Sequence, residues 1–302
     1  VKTSEGAALQ ALVKVNLTLH VGRARADGYH PVDTICLFPE IGDRVALGPR
    51  SDAFTLEVTG PAAKDLEGLP PRDNLVLKAA DLLAAATTIA PRRLLLEKRV
   101  PAASGIGGGT ADAAAALILL NRSAEAPLPA QALVALSARL GADGPVCTRA
   151  LLDGGGAFRA RGAGEKISSL PPPPPLWMVL SNPGIAVPTG RVFRRFDGTC
   201  PPAAPSPNRR TGRTTSALLS AAQAGRNDLQ PPAEAIAPQI RLVERSLRAA
   251  PGALLARMSG SGATVFALFA SAAAAARCLR RERSAGRWAE AGPLARGAGI
   301  PC

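Results

Sequence analysis

The sequence predicts an α+β fold. Short strand patterns follow one another near the N-terminus, helical patterns stand among the later strands, and no internal repeat is present. A regular alternation of strand and helix would instead indicate a parallel sheet. The 302 residues are enough for one large or two modest domains, and 47% are apolar, so a substantial core can form.

The elements read in order as follows. Residues 12–21, LVKVNLTLHV, alternate apolar residues with Lys14, Asn16, Thr18 and His20, the pattern of a strand with one buried and one polar face. A charged loop, GRARADGYHPVDT, follows. Residues 34–47 carry an apolar strand pattern interrupted at Pro39 and at Gly42-Asp43, and residues 53–58 form a further strand candidate. Residues 73–86, DNLVLKAADLLAAA, read as a helix with Asp73 near its start, and residues 93–98 as a short strand. Helices are expected over 111–120 and over 129–140, the second ended by Gly141. Three consecutive glycines within 153–161 precede a strand. The five-proline run 171–175 is stiff and extended, and 176–180 is the strand after it. Residues 200–215, rich in Pro, Ser and Arg, read as a mobile loop. Helices over 216–224 and 234–249, a strand–turn–strand over 253–269 and a last helix over 272–283 complete the chain. A domain boundary is expected near residues 150–165.

Composition excludes several classes. No run of about twenty uncharged apolar residues is present, so no transmembrane helix is expected. The first residues lack the pattern of a secretory signal, which makes the cytoplasm the expected compartment. The five cysteines are scattered and contain no Cys-x-x-Cys pair, which indicates neither a disulfide framework nor a structural zinc site. The net charge of +13 invites a nucleic-acid reading, but the arginines are dispersed and there is one Tyr, so the basic–aromatic interleaving of single-strand binders is missing. A general attraction for anionic ligands is the inference that stands.

The most informative stretch is 100–120, VPAASGIGGGTADAAAALILL. Gly105, Gly107, Gly108 and Gly109 open directly into an alanine-rich apolar run. Glycines let the backbone approach a ligand closely, and a helix beginning there aims unpaired N–H groups and a positive dipole end at the loop. Together they form a phosphate cradle. No Gly-Lys-Ser/Thr follows, so this is not a Walker A loop, and Thr110 stands where the dinucleotide fingerprint needs Gly or Ala. The alternative is a glycine-rich turn before a buried helix.

Four other segments stand out. Lys14 and Asn16 share the polar face of the first strand, where a solvent-exposed edge is the simpler explanation. Asp27-Gly28-Tyr29-His30 holds the single Tyr and one of the two His. Residues 140–145, LGADGP, put Asp143 in a bend after a helix, a common place for a turn-forming Asp. Residues 258–265, MSGSGATV, form a second glycine-rich turn between strands.

In this order the five segments resemble the GHMP kinases, whose ATP-phosphate loop is matched by residues 101–111 and whose C-terminal glycine motif is matched by SGSGA. Within that superfamily, GYH, LGADGPVC, NPGIAVPT and RNDLQPPA are similar to the members acting on cytidine-diphosphate methylerythritol in the non-mevalonate route to isoprenoid precursors. The resemblance spans about residues 11–270. It implies two lobes with the active site in the cleft between them, an N-terminal domain over residues 1–155 and a C-terminal domain over residues 156–302. It implies transfer of the γ-phosphate of ATP, with Mg2+, to the 2-hydroxyl of a cytidine-diphosphate substrate, by a monomer or homodimer with no nucleic-acid or membrane partner. Lys14 and Asp143 match the catalytic pair. Asn16 matches a substrate contact near the hydroxyl, and Tyr29, His30, Thr189 and Phe193 match the cytidine end. Tyr29 and Phe193 would sandwich the base while His30 reads its polar edge. Pro101, Gly105, Gly107, Gly108, Gly109 and Thr110 match the ATP-phosphate loop, and Asn74, Leu75 and Lys98 the adenine pocket. Metal ligands are not implied.

Some positions depart from the family pattern. Leu12-Val13 replace a usual Pro-Ala, Ala111 replaces a second hydroxyl residue after the glycines, and Gly144 replaces an apolar residue beside Asp143. A kinase for another small alcohol, of homoserine or mevalonate type, and a non-catalytic anion- or nucleic-acid-binding protein are the alternatives.

Overall fold

A computed structural model describes residues 6–26, 28–198 and 214–297. Strands and helices are numbered along the chain. The chain groups into two compact units, one of residues 1–13, 41–102 and 107–153, the other of residues 14–40, 103–106 and 154–302. This grouping does not reduce to one cut near residue 155. Residues 14–40 join the second unit because their hairpin pairs with a strand from beyond residue 154.

The first unit contains β1 (Ala8–Leu12), β4 (Gly42–Arg50), β5 (Thr55–Thr59) and β6 (Arg92–Glu97) in one sheet of order β1-β4-β6-β5. Its helices are α1 (Leu75–Ala84), α2 (Gly108–Arg122), α3 (Ala130–Ser137) and α4 (Gly144–Asp153). Helix α2 packs against α1, α4, β1 and β4. Its run from Ala111 to Asn121 is buried on every side, as expected of a helix that is apolar all round.

The second unit holds two sheets. One has the order β2-β3-β7-β8, from β2 (Val15–Val21), β3 (Val32–Leu37), β7 (Ala157–Gly162) and β8 (Lys166–Ser169). The other has the order β10-β11-β9-β12, from β9 (Trp177–Asn182), β10 (Ala253–Met258), β11 (Val265–Phe269) and β12 (Trp288–Pro293). Its helices are α5 (Thr189–Asp197), α6 (Thr215–Ala224), α7 (Gln230–Ile236), α8 (Gln239–Arg248) and α9 (Ala272–Ser284). Helix α8 buries Ile240, Val243 and Leu247, which fall on one face at helical spacing, and packs on β10 and β11. The α+β expectation holds.

Several details differ from expectation. Residues 12–21 are not one strand: β1 ends at Leu12 and β2 begins at Val15 in another sheet. The break falls where the Val13 N–H turns to the Ile41 carbonyl and the Lys14 N–H to the Ile106 carbonyl. Helix α2 starts at Gly108, so Gly108, Gly109 and Thr110 form its first turn. The helix expected over 234–249 is broken into α7 and α8 at Ala237-Pro238, because proline lacks an N–H and clashes with the preceding turn. Helix α4 was read as a turn; its Pro145 is in fact favourable in a first helical turn. Helix α5 and strands β8 and β12 were also not anticipated. Most of the loop expected over 200–215, and Asp27, lie outside the described residues.

Candidate active site

In the second unit Lys14 and Asn16 stand at the start of β2. Lys14 and Asn16 are 5% and 2% exposed, so the exposed strand edge is excluded. Lys14 Nζ donates to Asn16 Oδ1 at 2.8 Å. Asn16 Nδ2 donates to Thr34 Oγ1 at 2.7 Å, and the Thr34 hydroxyl donates to the Thr18 carbonyl at 2.6 Å. The Asn16 N–H donates to Ser259 Oγ at 3.1 Å, and Ser259 Oγ donates to the Gly105 carbonyl at 3.0 Å. Strand β2 and residues 104–106 are thus joined twice, once through Ser259 and once through the Lys14 N–H.

The two glycine-rich segments meet backbone to backbone. Gly105 has φ +78°, and a Cβ there would lie 2.6 Å from the Gly262 carbonyl oxygen and 2.7 Å from that of Ser259. Gly260 has φ +54°, and a Cβ there would lie 2.5 Å from the Gly105 carbonyl oxygen. Only glycine combines these φ values with so close an approach. The Thr264 N–H donates to the Ser104 carbonyl, and Asn227 Nδ2 donates to the Met258 and Gly260 carbonyls at 2.9 Å each.

A ring cluster forms the third feature of this unit. His30 and Phe193 have centroids 4.9 Å apart at 35°, and Phe196 meets His30 edge-on at 5.9 Å. His30 Nδ1 lies 2.9 Å from the Gly22 carbonyl, which only accepts, so this nitrogen carries the proton. Its Nε2 lies 3.4 Å from Asp197. Tyr29, beside it, is 61% exposed. Thr189 begins α5, with its Oγ1 2.8 Å from Ser261 Oγ in the second glycine turn.

The first unit presents the start of α2. Gly107 caps it at φ +64° with no side-chain cap, so the N–H groups of its first turn have no intrahelical acceptor. Lys98 is 1% exposed and sits beneath this start, its Nζ 3.5 Å from a Cβ placed on Gly108. Lys98 Nζ donates to Asp43 and lies 3.4 Å from Asp112. Asp43 also accepts from the N–H groups of Arg99 and Val100 at 2.5 and 2.9 Å. Burial, with the Asp43 carboxylate adding to it and Lys98 opposing, holds the Asp112 carboxyl well above the usual carboxylate range. Burial pulls the Lys98 ammonium down, but Asp112 and Asp43 outweigh it and its pKa is raised.

Asn74 caps α1, its side chain accepting from the Val76 N–H at 2.9 Å, and Leu75 lies 3.7 Å from a Cβ placed on Gly109. Pro101 is half-buried ahead of the glycines. Ala111 is fully buried in α2. Asp143 is half-buried just before α4, its carbonyl accepting from the Cys147 N–H at 3.0 Å. Gly144 abuts the Ser137 carbonyl and leaves no room for a Cβ.

The structure therefore brings together Lys14 with Asn16, His30 with Phe193, and Asn74, Leu75, Lys98, Gly108 and Gly109 around the starts of two helices. Lys14 and Asp143 belong to different units. Thr34, Ser259, Asp43 and Asp197 were missed as partners. Thr34 carried a signal as a polar residue inside the apolar pattern TICLF, and Ser259 as the first residue of the SGSGA turn. Among the described residues no three His, Cys, Asp or Glu gather as metal ligands, and no helix is long and apolar enough to cross a membrane.

The pattern of the GHMP kinases N terminal domain matches residues 74–150, and that of the GHMP kinases C terminal matches residues 209–286. The chain belongs to the GHMP kinase family. As a GHMP kinase it is a small-molecule phosphotransferase with ATP as the phosphoryl donor. It is 48% identical over 268 residues to a 4-diphosphocytidyl-2-C-methyl-D-erythritol kinase of Cereibacter sphaeroides, covering 88% of this chain and 90% of that one. It is 43% identical over 290 residues to the protein of the same name from Granulibacter bethesdensis, covering 94% and 93%. Among solved structures this GHMP kinase is similar to a 4-(cytidine 5'-diphospho)-2C-methyl-D-erythritol kinase, with a TM-score of 0.75, 32% identity and coverage of 97% of this chain and 100% of that one. A homoserine kinase from Cytophaga hutchinsonii shares the fold, with a TM-score of 0.70, 16% identity and coverage of 98% and 96%.

Proposed function

We propose that this GHMP kinase transfers the γ-phosphate of ATP to the 2-hydroxyl of 4-diphosphocytidyl-2-C-methyl-D-erythritol. The observation that carries the reading is identity of 42–48% over most of the chain to relatives of that name. The geometry supports it. Phosphoryl transfer needs positioning and electrostatic stabilisation more than covalent chemistry. The uncapped start of α2, with Gly105, Gly107, Gly108, Gly109 and Thr110, offers backbone N–H groups to the ATP phosphates. Asn74 and Leu75 stand next to that start on the adenine side, with Pro101 leading into the loop. Lys98 supports the helix from below.

In this reading Asp143 accepts the proton of the substrate hydroxyl, whose oxygen then attacks the γ-phosphorus and releases ADP. Lys14 stabilises charge on the transferred phosphoryl oxygens. Asn16 holds the hydroxyl end of the substrate. Tyr29 and Phe193 stack on the cytosine ring, with His30 at its edge and Thr189 nearby. Stacking on aromatic faces contributes affinity without needing a particular base, so the polar groups beside the rings make the choice. Mg2+ accompanying ATP would neutralise charge on its phosphates. It characteristically takes one or two carboxylates, waters and substrate phosphates, so it does not require a three-ligand protein cage.

The test is ADP release across a panel of alcohols that includes the cytidine-linked methylerythritol, homoserine and mevalonate. Turnover is expected on the first alone. Turnover on another alcohol and none on the first would overturn the substrate assignment.

A further inference from the structure

We infer that Thr34 is a positioning residue for the phosphoryl acceptor site, because it fixes the orientation of the Asn16 amide and, through it, the place of the Lys14 ammonium. The inference rests on the proposed roles of Lys14 and Asn16.

The argument is one of donors and acceptors. A threonine hydroxyl has a single proton and two lone pairs, and a carbonyl only accepts. Thr34 Oγ1 lies 2.6 Å from the Thr18 carbonyl, so its proton is committed there. Towards Asn16, 2.7 Å away, it can then only accept. The NH2 end of the amide must therefore face Thr34. Its nitrogen also lies 3.9 Å from the Cys36 sulfur, on the same side. The Oδ1 end is left to face Lys14, whose ammonium only donates, and it does so at 2.8 Å. Thr18, Thr34, Asn16 and Lys14 form a directed chain of acceptors and donors. All four residues are buried, so water is not at hand to replace a lost link.

Strand geometry makes the chain possible. The β2–β3 register shifts between Asn16 and Thr18, so that Asn16 pairs with Cys36 and Thr18 with Ile35. A bulge of this kind re-aims side chains locally. Here the Thr34 hydroxyl reaches both the Thr18 carbonyl and the Asn16 amide. Without the hydroxyl, the Asn16 NH2 is buried beside a methyl group, and the amide rotates in search of an acceptor. The Lys14 ammonium then loses the Asn16 Oδ1 acceptor. ATP contacts assigned to the glycine loop are untouched.

The experiment is a kinetic comparison of Thr34→Val, Thr34→Ser, Asn16→Ala and the Asn16→Ala/Thr34→Val double variant of the full chain, with thermal melts alongside. Thr34→Val keeps the shape and removes the hydroxyl. It is expected to lower kcat about tenfold, the size of one lost hydrogen bond, with the KM for ATP changed less than about twofold. Thr34→Ser is expected to restore kcat to within about threefold. In the Asn16→Ala background the Val substitution is expected to change kcat less than about twofold, because the chain is already broken. Wild-type kcat in a folded Thr34→Val, a Ser variant as poor as Val, or full additivity with Asn16→Ala would each overturn the inference. If Thr34→Val does not fold, Thr34→Cys, with its weak acceptor, takes its place under the same criteria. If the wild type phosphorylates a different alcohol, the substrate reading fails, and the same cycle run on that alcohol still decides the role of Thr34.

Discussion

Ser259 donates its hydroxyl proton to the Gly105 carbonyl at 3.0 Å, although the two residues lie 154 positions apart in the chain. The same oxygen accepts from the Asn16 N–H. One fully buried hydroxyl thus ties the segment assigned to ATP phosphates to the strand assigned to the acceptor. Ser259→Ala leaves a buried N–H and a buried carbonyl without this partner, each costing about 1–3 kcal/mol. The expected outcome is a lowered melting temperature together with a raised KM for both substrates. Thermal melts and initial-rate kinetics check it. A rise confined to one substrate would show that the link is structural on one side only.

Asp143→Asn keeps the side-chain shape and removes the proton acceptor. ATP binding, followed by calorimetry with a non-hydrolysable analogue, is expected to stay near wild type. Turnover is expected to fall by about a thousandfold, within the usual range for loss of a general base. Turnover like that of the wild type would make Asp143 a turn residue and nothing more.

The cluster beneath α2 makes a contrast between two substitutions. Burial raises the Asp112 carboxyl well above the usual carboxylate range, with Lys98 opposing, so Asp112→Asn removes a charge that is disfavoured where it stands. A cost of about 1 kcal/mol or less is expected. Lys98→Met leaves the Asp43 carboxylate buried without its counter-ion, and about 3–5 kcal/mol is expected. Urea unfolding of the two variants checks the difference. Equal losses would mean that Asp112 is charged in the folded protein.

His20 adds a pH dependence. Neither of its ring nitrogens has a hydrogen-bond partner, and burial lowers its pKa from 6.5. Asp228 and Asp33 oppose that shift, while Arg226 and Arg257 add to it. The folded pKa lies below the unfolded one. The stabilisation is therefore fully present above about pH 6.5 and is lost as pH falls through the folded pKa. The melting temperature of the wild type relative to that of His20→Leu is expected to fall between pH 7.5 and pH 5. A difference that stays constant over that range would show that His20 has the same pKa folded and unfolded.

Much of this protein was legible in its sequence. The glycines at 105–109 and the alanine-rich run announced a buried helix opening from a glycine-rich loop, and the SGSGA segment announced a turn between strands, because glycine spacing and periodicity are local signals. The strand carrying Lys14 and Asn16 was legible as a strand, but its burial was not. Alternation assigned Lys14, Asn16, Thr18 and His20 to a solvent face, whereas all four are buried, Asn16 through bonds to the distant Thr34 and Ser259 and His20 with no bond to either ring nitrogen. The break at Val13-Lys14 was invisible for the same reason, being set by carbonyls at Ile41 and Ile106. Helix α4 was hidden by Gly144-Pro145, which reads as a turn until the helix it starts is seen. Asp43 looked like a turn residue after Gly42, and its three donors could not be foreseen from its neighbours.

The Gly105 backbone leaves Gly260 no space for a methyl group, and the Ser259 and Gly262 backbones leave Gly105 none. Any side chain acquired at one position therefore has to push the other segment away, whatever that segment carries. A residue gained at Gly105 meets backbone atoms of Ser259 and Gly262, which no smaller side chain can withdraw. The two positions form a lock without a second combination, and descent can preserve it or lose it but cannot remodel it stepwise. A diagnostic for this architecture is better built on the two glycines jointly, at their wide separation, than on either glycine-rich segment alone.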